Sequence, residues 1–198
     1  MAQSIPPLTK KVLRFLQVEK SPRAMEEVAE LWDESHQLLD IYRWSLCVPV
    51  DEFFARFHPF ASESRAVAGL LAGAHRIWLM AVTLGNALER RSREYFAQNQ
   101  AFCGYILDRM GSFLVEDEIR KLDEKIIREC KHQGSSTTRR YSPGYQDFSL
   151  ESQRVFLEMI GPNMPGLKLT SGLLLKPEKT ITAVKGVIQD GSDADRKN

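Results

Sequence analysis

Residues 75–86 read His-Arg-Ile-Trp-Leu-Met-Ala-Val-Thr-Leu-Gly-Asn, and they decide the fold. The segment 75–83 is a nearly continuous apolar run, which is typical of a strand buried in the middle of a sheet. Gly85 and Asn86 close the strand. A helical pattern then covers 86–133, with a break predicted near 98–100. A buried strand that leads into long helices is therefore the expected centre of the molecule.

The segments before this strand are predicted to be mainly helical. Ser21-Pro22 is a typical helix start, because serine can accept a hydrogen bond from a free amide and proline suits the first helical position. Gly69 and Gly73 lie four residues apart, and we expect this spacing to allow close helix packing. The pattern predicts helices over 8–16, 21–40 and 64–74, a strand over 41–50, and an aromatic loop over 51–60.

The segments after residue 133 mix helix, strand and turn. Ser149 is the predicted N-cap of a helix. The pattern predicts a loop over 134–138, a helix over 149–160, a turn over 161–166, strands over 167–170 and 180–188, and a frayed polar tail over 191–198.

Helices and strands follow one another without regular β-α-β alternation. This order predicts an α+β fold in a single domain, 1–198, with a twisted, largely antiparallel sheet flanked by helices. Within it we expect an N-terminal helical part over 1–74, a core over 75–188 and a frayed tail over 189–198.

Composition excludes several classes of function. The 198 residues include 27 Lys and Arg against 26 Asp and Glu, a net charge of +1. A balance so near zero argues against nucleic acid or an anionic membrane as a whole-protein partner. Three scattered cysteines, Cys47, Cys103 and Cys130, predict buried reduced thiols rather than a disulfide framework. With no signal-peptide pattern and no apolar run of membrane-spanning length, a cytoplasmic protein is expected.

The usual catalytic and metal-binding patterns are not found. His36, His58, His75 and His132 have no metal-ligand spacing, and neither a nucleophile motif nor a Walker loop occurs. The single glycine in 83–86 fits a tight turn better than a phosphate loop. The acidic run 116–118 would interact with a helix dipole only if the helix restarted at Gly111. We expect no metal, no catalytic residue, and surface positions for Asp117 and Glu118.

One segment, 139–145, carries more information. Arg140 offers a planar fork of donors suited to a carboxylate. The sequence Ser142-Pro143-Gly144 predicts a tight turn that exposes backbone groups, and Tyr145 adds an aromatic face. This set could hold a small zwitterion that bears an aromatic base. The alternative is a strand-to-helix corner with a surface arginine.

The same segment resembles a known motif. Residues 140–145, Arg-Tyr-Ser-Pro-Gly-Tyr, resemble the RxxxGY motif of the S-adenosylmethionine-binding activation domain of cobalamin (vitamin B12)-dependent methionine synthase. Segments on both sides resemble that domain in the same order, the upstream ones most closely its small stand-alone members. They are 12–16, 81–85, 106–116, 150–160, 169–171 and 175–184.

The resemblance implies a function in methionine biosynthesis. It implies a stand-alone accessory protein that binds S-adenosylmethionine and supports reductive methylation, and so reactivation, of a partner's cobalamin. The partner would be a corrinoid-binding protein or a methionine synthase lacking an activation domain, with a flavodoxin- or ferredoxin-type electron donor. By the resemblance, Arg140 would hold the ligand carboxylate, Ser142 and Gly144 would give backbone contacts, Tyr145 would flank the ligand, and Glu116 would match an acidic residue near the site.

Two other hypotheses stay open at this point. The full-length enzymes continue GY with Pro-Ala-Cys-Pro, whereas Gln146-Asp147-Phe148 follows here, and the aspartate that reads the ligand's amino group there has no counterpart. The chain also ends soon after Ile188. The protein could therefore be a non-catalytic partner of a corrinoid protein that has lost S-adenosylmethionine binding. A third hypothesis is an unrelated small-molecule enzyme, which the lack of an acid–base constellation disfavours.

Overall fold

A computed structural model describes residues 7–189 of the chain. The helices are α1 (Lys10–Leu16), α2 (Pro22–Gln37), α3 (Val50–Arg56), α4 (Arg65–Leu70), α5 (Ala87–Ala97), α6 (Ala101–His132) and α7 (Gln153–Ile160), with single 3₁₀ turns at Leu150–Ser152 and Gly161–Asn163. The strands are β1 (Tyr42–Pro49), β2 (Arg76–Thr83), β3 (Ser135–Thr137), β4 (Lys168–Leu169), β5 (Leu175–Lys176) and β6 (Thr180–Gln189).

The main sheet has the strand order β1-β2-β6-β3, and its neighbouring strands are all antiparallel. The apolar strand β2 lies inside it, paired with β1 from Tyr42 opposite Thr83 and with β6 from Arg76 opposite Val187. The predicted α+β class with an antiparallel sheet is confirmed. Because β1 pairs with β2 along its whole length, the N-terminal part contributes a strand to the central sheet.

Strand β2 sends alternate side chains to two different cores, as the period of a strand requires. Ile77 and Leu79 pack in a cluster with phenylalanines of the short helices and the 148–156 region. Met80 and Val82 pack in a second cluster with helices α1, α2 and α6. The sheet therefore separates an aromatic layer from a layer dominated by the long helix α6.

The α6 layer contains ion pairs as well as apolar contacts. Arg43 on β1 pairs with Glu118, and Lys185 on β6 pairs with Asp123 at 2.8 Å. Only 8% of the Glu118 side chain is exposed, so the expected surface position of Glu118 is wrong. Glu118 lies at the helix–sheet interface because its carboxylate has a guanidinium partner there, which offsets the loss of hydration.

Helix α6 runs without interruption through Gly111, so the acidic run 116–118 lies in mid-helix, away from the dipole of any N-terminus. Gly111 instead allows α6 to pack closely against α5. A Cβ at Gly111 would lie 2.7 Å from Cδ2 of Leu88 on α5. The break predicted near 98–100 is confirmed, since α5 ends at Ala97 and α6 begins at Ala101.

Local predictions succeeded where a cap or a single pattern determines the element. The Ser21 side chain accepts a hydrogen bond from the Ala24 amide at 3.3 Å, and Ser149 accepts one from the Glu151 amide at 3.2 Å.

The predicted loop 51–60 is wrong in its first half, which forms α3 because Phe53 and Phe57 stack one helical turn apart. The predicted loop 134–138 is also wrong in part, since it contains β3, which pairs with β6.

Two further predictions concern small residues. A Cβ at Gly69 or Gly73 would have no neighbour within 4 Å, so the predicted close helix contact at these glycines is wrong. Cys130 is buried, whereas Cys47 and Cys103 are half-buried. The tail predicted over 191–198 lies outside the described residues. In the described part of the chain, no helix is long and apolar enough to cross a membrane.

Candidate functional site

The 140–145 segment begins as an extension of the sheet. After β3, the Thr138 amide donates to the Gly186 carbonyl at 3.0 Å. Tyr141 and Val184 then exchange backbone hydrogen bonds of 2.9 and 2.8 Å. The Tyr141 ring stacks on Phe148 in the aromatic layer, with ring centroids 6.3 Å apart. These bonds anchor the segment to β6 immediately before its turn.

The turn itself depends on Gly144. Its φ is +90°, which L side chains rarely adopt, and a Cβ there would lie 2.9 Å from Cδ2 of Leu150. The Gly144 amide donates to the Phe148 carbonyl at 2.7 Å. The predicted tight turn is present, and glycine adopts its positive φ without strain. Gly144 shapes the turn and is not one of the residues that line the adjoining cleft.

Asp147 fastens the turn to helix α4. Its carboxylate accepts hydrogen bonds from the Ser64 hydroxyl at 2.6 Å and from the amides of Arg65 at 2.8 Å and Ala66 at 3.2 Å. The bond from Ser64, with help from the two amides, holds the pKa of Asp147 below its ordinary value. The motif turn is therefore tied to the sheet at one end and to α4 at the other.

A cleft of about 430 Å³ opens between this turn, helix α6, the start of α7 and the first residues of β6. A volume of this size is in the range of small-molecule sites. The lining residues are Glu116, Arg139, Arg140, Tyr141, Ser142, Pro143, Tyr145, Gln153, Thr180, Ile181 and Thr182. Of the predicted site residues, Arg140, Ser142, Tyr145 and Glu116 thus come together at one cleft.

Arg140 and Glu116 form an ion pair across one wall of the cleft. Nη2 of Arg140 donates to Oε1 of Glu116, which connects the motif to the middle of α6. The side chains are 26% and 55% exposed, so both groups remain accessible from the cleft. Because a guanidinium carries five N–H donors, one bond to Glu116 leaves donors that can engage the carboxylate of a ligand.

The opposite wall is neutral. Gln153, at the start of α7, is only 7% exposed, and its Oε1 accepts a hydrogen bond from the Thr182 hydroxyl at 2.8 Å. The Thr180 hydroxyl donates to the Pro177 carbonyl at 2.7 Å and also lies 2.7 Å from Oγ1 of Thr83. The wall formed by Gln153, Thr180 and Thr182 is therefore neutral. A second arginine, Arg139, also lines the cleft, with its guanidinium 5.9 Å from the centroid of the Tyr141 ring.

The open edge of β6 forms the back of the cleft. Since Val184 directs its backbone groups toward Tyr141, alternation along the strand directs those of Thr182 and Thr180 to the same side. Among the described residues no strand pairs with β6 at these positions, and the cleft occupies the space. The backbone N–H and C=O groups of two residues are thus available to a ligand.

Gln153, Thr180 and Thr182 belong to the site although the sequence motif does not include them. The alternation Thr-Ile-Thr at 180–182, at the start of β6, was a signal that one side of the strand meets polar surroundings. Gln153 gave no signal, because a glutamine at the start of a helix is common. No group of three or more His, Cys, Asp or Glu in residues 7–189 could hold a metal ion.

The chain matches known proteins by structure and not by sequence. No protein-family model matches the sequence, and no curated protein matches it. A solved structure does match: the crystal structure of the MetH reactivation domain bound to AdoHcy, at 15% sequence identity and a TM-score of 0.53. The match covers 96% of this chain and 72% of that chain. The chain has the fold of a MetH reactivation domain. The fold expected from the resemblance is confirmed.

Proposed function

We propose that this chain binds S-adenosylmethionine in the cleft and supports reductive methylation of the cobalamin of a separate corrinoid-dependent methionine synthase or methyltransferase. One observation carries the proposal. Arg140, Ser142, Tyr145 and Glu116, which the motif resemblance marks, converge on one cleft. The fold is that of a domain whose solved structure holds AdoHcy, the demethylated form of the same ligand.

The chemistry of the cleft fits the ligand. The Arg140 guanidinium suits the carboxylate of the amino-acid end, and the Glu116 carboxylate suits its ammonium group. Tyr145, 64% exposed at the mouth of the cleft, offers an aromatic face to the rest of the ligand. All these groups bind and orient the ligand, and the site needs no acid or base of its own.

The corrinoid would belong to the partner protein and would supply the nucleophilic cobalt and the reduced state that accepts the methyl group. This chain would contribute position, which is a large source of rate when two reactants must meet in one geometry. Exposed Tyr145 and Leu150 give the motif turn an apolar surface on which the corrinoid protein could dock. A flavodoxin- or ferredoxin-type protein would deliver the electron to the partner.

Isothermal titration of the full chain with S-adenosylmethionine and with S-adenosylhomocysteine tests the binding step. We expect saturable binding of both, and a loss of about 10- to 100-fold in Arg140→Ala, since hydrogen bonds to charged groups contribute about 1.5–3 kcal/mol. Arg128→Ala is the matched control, because Arg128 is an exposed arginine of α6 outside the cleft lining. Absence of binding by the wild-type chain with its fold intact would contradict the proposal.

A second candidate is a non-catalytic partner of a corrinoid protein. One observation favours it: Glu116 already neutralises Arg140, so the charged wall is satisfied without a ligand. The two candidates differ in their response to Arg140→Ala once the corrinoid partner is in hand. The substitution abolishes methylation of the cobalamin if the chain presents the ligand. It leaves partner binding and function unchanged if the chain acts by contact alone.

A further inference from the structure

We propose that Gln153 determines specificity for the base of the ligand, by donating a hydrogen bond from Nε2 to a ring nitrogen of adenine. The inference rests on the proposed function, because it assigns one end of the S-adenosylmethionine-type ligand to one wall of the cleft. It concerns a residue to which the resemblance assigns no part in the site.

Gln153 is held in place before any ligand arrives. Its side chain is enclosed between α7 and β6, and the Thr182 hydroxyl donates to its Oε1 at 2.8 Å. This bond orients the amide. The other polar atom of the side chain is Nε2, which makes no hydrogen bond to any residue within 7–189. Gln153 lines the cleft, and Nε2 is not one of the fully buried atoms that lack a hydrogen-bond partner. Nε2 is therefore open to the cleft, where an acceptor of a ligand can reach it.

The geometry of the sheet decides which end of the ligand meets Gln153. Arg140 reaches the α6 side of the sheet, where it pairs with Glu116. The side chains of Thr182 and Val184 point to the same face of the sheet, because the two residues are two positions apart on β6. Val184 packs in the aromatic layer, so Gln153 hydrogen-bonds to Thr182 on the aromatic face. A ligand that places its carboxylate at Arg140 must cross the edge of β6, so its other end, the base, lies at the neutral wall.

A neutral amide also suits a neutral acceptor. Adenine offers three ring-nitrogen acceptors at its edges, whereas the amino-acid end of the ligand is charged and already has Arg140 and Glu116. Pro143 and Tyr145 line the same cleft and present flat surfaces on which a base can lie. The wall of Gln153 and Thr182 therefore reads the edge of the base while these two residues contact its face.

The experiment is isothermal titration of the full chain with S-adenosylhomocysteine and with its 1-deaza, 3-deaza and 7-deaza analogues, each of which lacks one ring nitrogen. For the wild-type chain we expect one analogue to bind about tenfold more weakly than the natural ligand. Gln153→Met should bind the natural ligand about tenfold more weakly than the wild-type chain does. It should bind that one analogue with the same affinity as it binds the natural ligand. Gln153→Glu, which presents only acceptors, should lose more than Gln153→Met.

Thr182 gives the matched control for orientation. Thr182→Ser keeps the hydroxyl that orients the amide and should lose less affinity for the natural ligand than Thr182→Val does. Thr182→Val removes the hydroxyl and should weaken binding of the natural ligand by a smaller factor than Gln153→Met. Circular dichroism and thermal unfolding of each variant establish that the fold is retained.

The outcomes separate this inference from the proposed function. If the wild-type chain binds no S-adenosylhomocysteine, both are overturned. If the wild-type chain binds it but no deaza analogue is weakened, or if Gln153→Met loses affinity for every analogue by the same factor as for the natural ligand, only the role of Gln153 is overturned. If Gln153→Met and the wild-type chain bind S-adenosylhomocysteine with equal affinity, the role of Gln153 is likewise overturned.

Discussion

The two faces of the sheet are built differently. One face is dominated by the 32-residue helix α6, with α1 and α2 packed in the same layer, and its interface with the sheet contains the buried ion pairs of Glu118 and Asp123. The other face is covered by short helices and by the motif turn, and its largest buried side chains are phenylalanines: Phe53, Phe57, Phe148 and Phe156. Charge pairs cross one face, whereas aromatic packing fills the other.

The difference shows how each layer is positioned. A long helix on a sheet can slide or rotate with little change in apolar contact, and charge pairs at defined points make one register favourable. Short helices bury less surface against the sheet. The large aromatic rings therefore both hold these helices on the sheet and set their position. The cleft lies where the two layers meet, at the open edge of β6, and takes its charged wall from one side and its neutral wall from the other.

The largest expected effect is on the aromatic face. Phe156 is fully buried, and its ring meets that of Phe57 edge-on at 5.3 Å. Phe156→Ala should lower the free energy of unfolding by about 3–5 kcal/mol, because it removes packing and leaves a cavity. Urea unfolding measures the change. Phe96→Ala, at a half-exposed position on α5, is the control and should cost far less. A loss at Phe156 no greater than at Phe96 would show that the aromatic layer does not hold this face.

A somewhat smaller effect is expected on the charged face. The Lys185 side chain is only 3% exposed and pairs with Asp123. Asp123→Asn leaves that ammonium buried without its counter-charge and should cost about 3 kcal/mol by urea unfolding. The double variant Asp123→Leu with Lys185→Met should recover much of the loss, since no charge is then left buried.

The control for this face is on the same helix. Glu124 pairs with Arg120 at the surface of α6, and Glu124→Gln should change the free energy of unfolding by no more than about 0.5 kcal/mol. If Asp123→Asn costs no more than Glu124→Gln, the Lys185 pair does not position α6 on the sheet.

The smallest effect concerns the fastening of the motif turn. Because the pKa of Asp147 is lowered in the folded chain, its ionised form stabilises the fold above its ordinary pKa of about 4, and this contribution is lost as the pH falls through the lowered value. Asp147→Asn should therefore unfold at a lower temperature than the wild-type chain at pH 7, and the two melting temperatures should converge in acid. A difference that stays constant from pH 7 to pH 3 would argue against the role of the carboxylate charge.

Sequence reasoning found the parts of the fold whose signals are local. The apolar run of β2, the break before α6 and the serine caps each follow from a few neighbouring residues. Helix α3 was missed because Phe53 and Phe57 take their helical pairing from the aromatic layer they enter. Glu118 was assigned to the surface because its partner, Arg43, is distant in sequence.

The same division holds for the site. The motif alone indicated Arg140, Ser142 and Tyr145, since an arginine beside a proline–glycine turn is a local pattern with its own chemistry. Gln153 and Thr182 could not be found that way. They belong to a helix and a strand that meet only when α7 packs on β6, and their importance comes from the hydrogen bond between them.

By itself, the sequence determined the class of the fold, its central strand and the turn at Gly144, because periodicity, glycine conformation and helix caps act over a few residues. Tertiary structure alone decided which charges are buried, which edge of the sheet stays open and which side chains share the cleft. Those features depend on contacts between distant segments, and their free energies arise only when the segments pack together and exclude water.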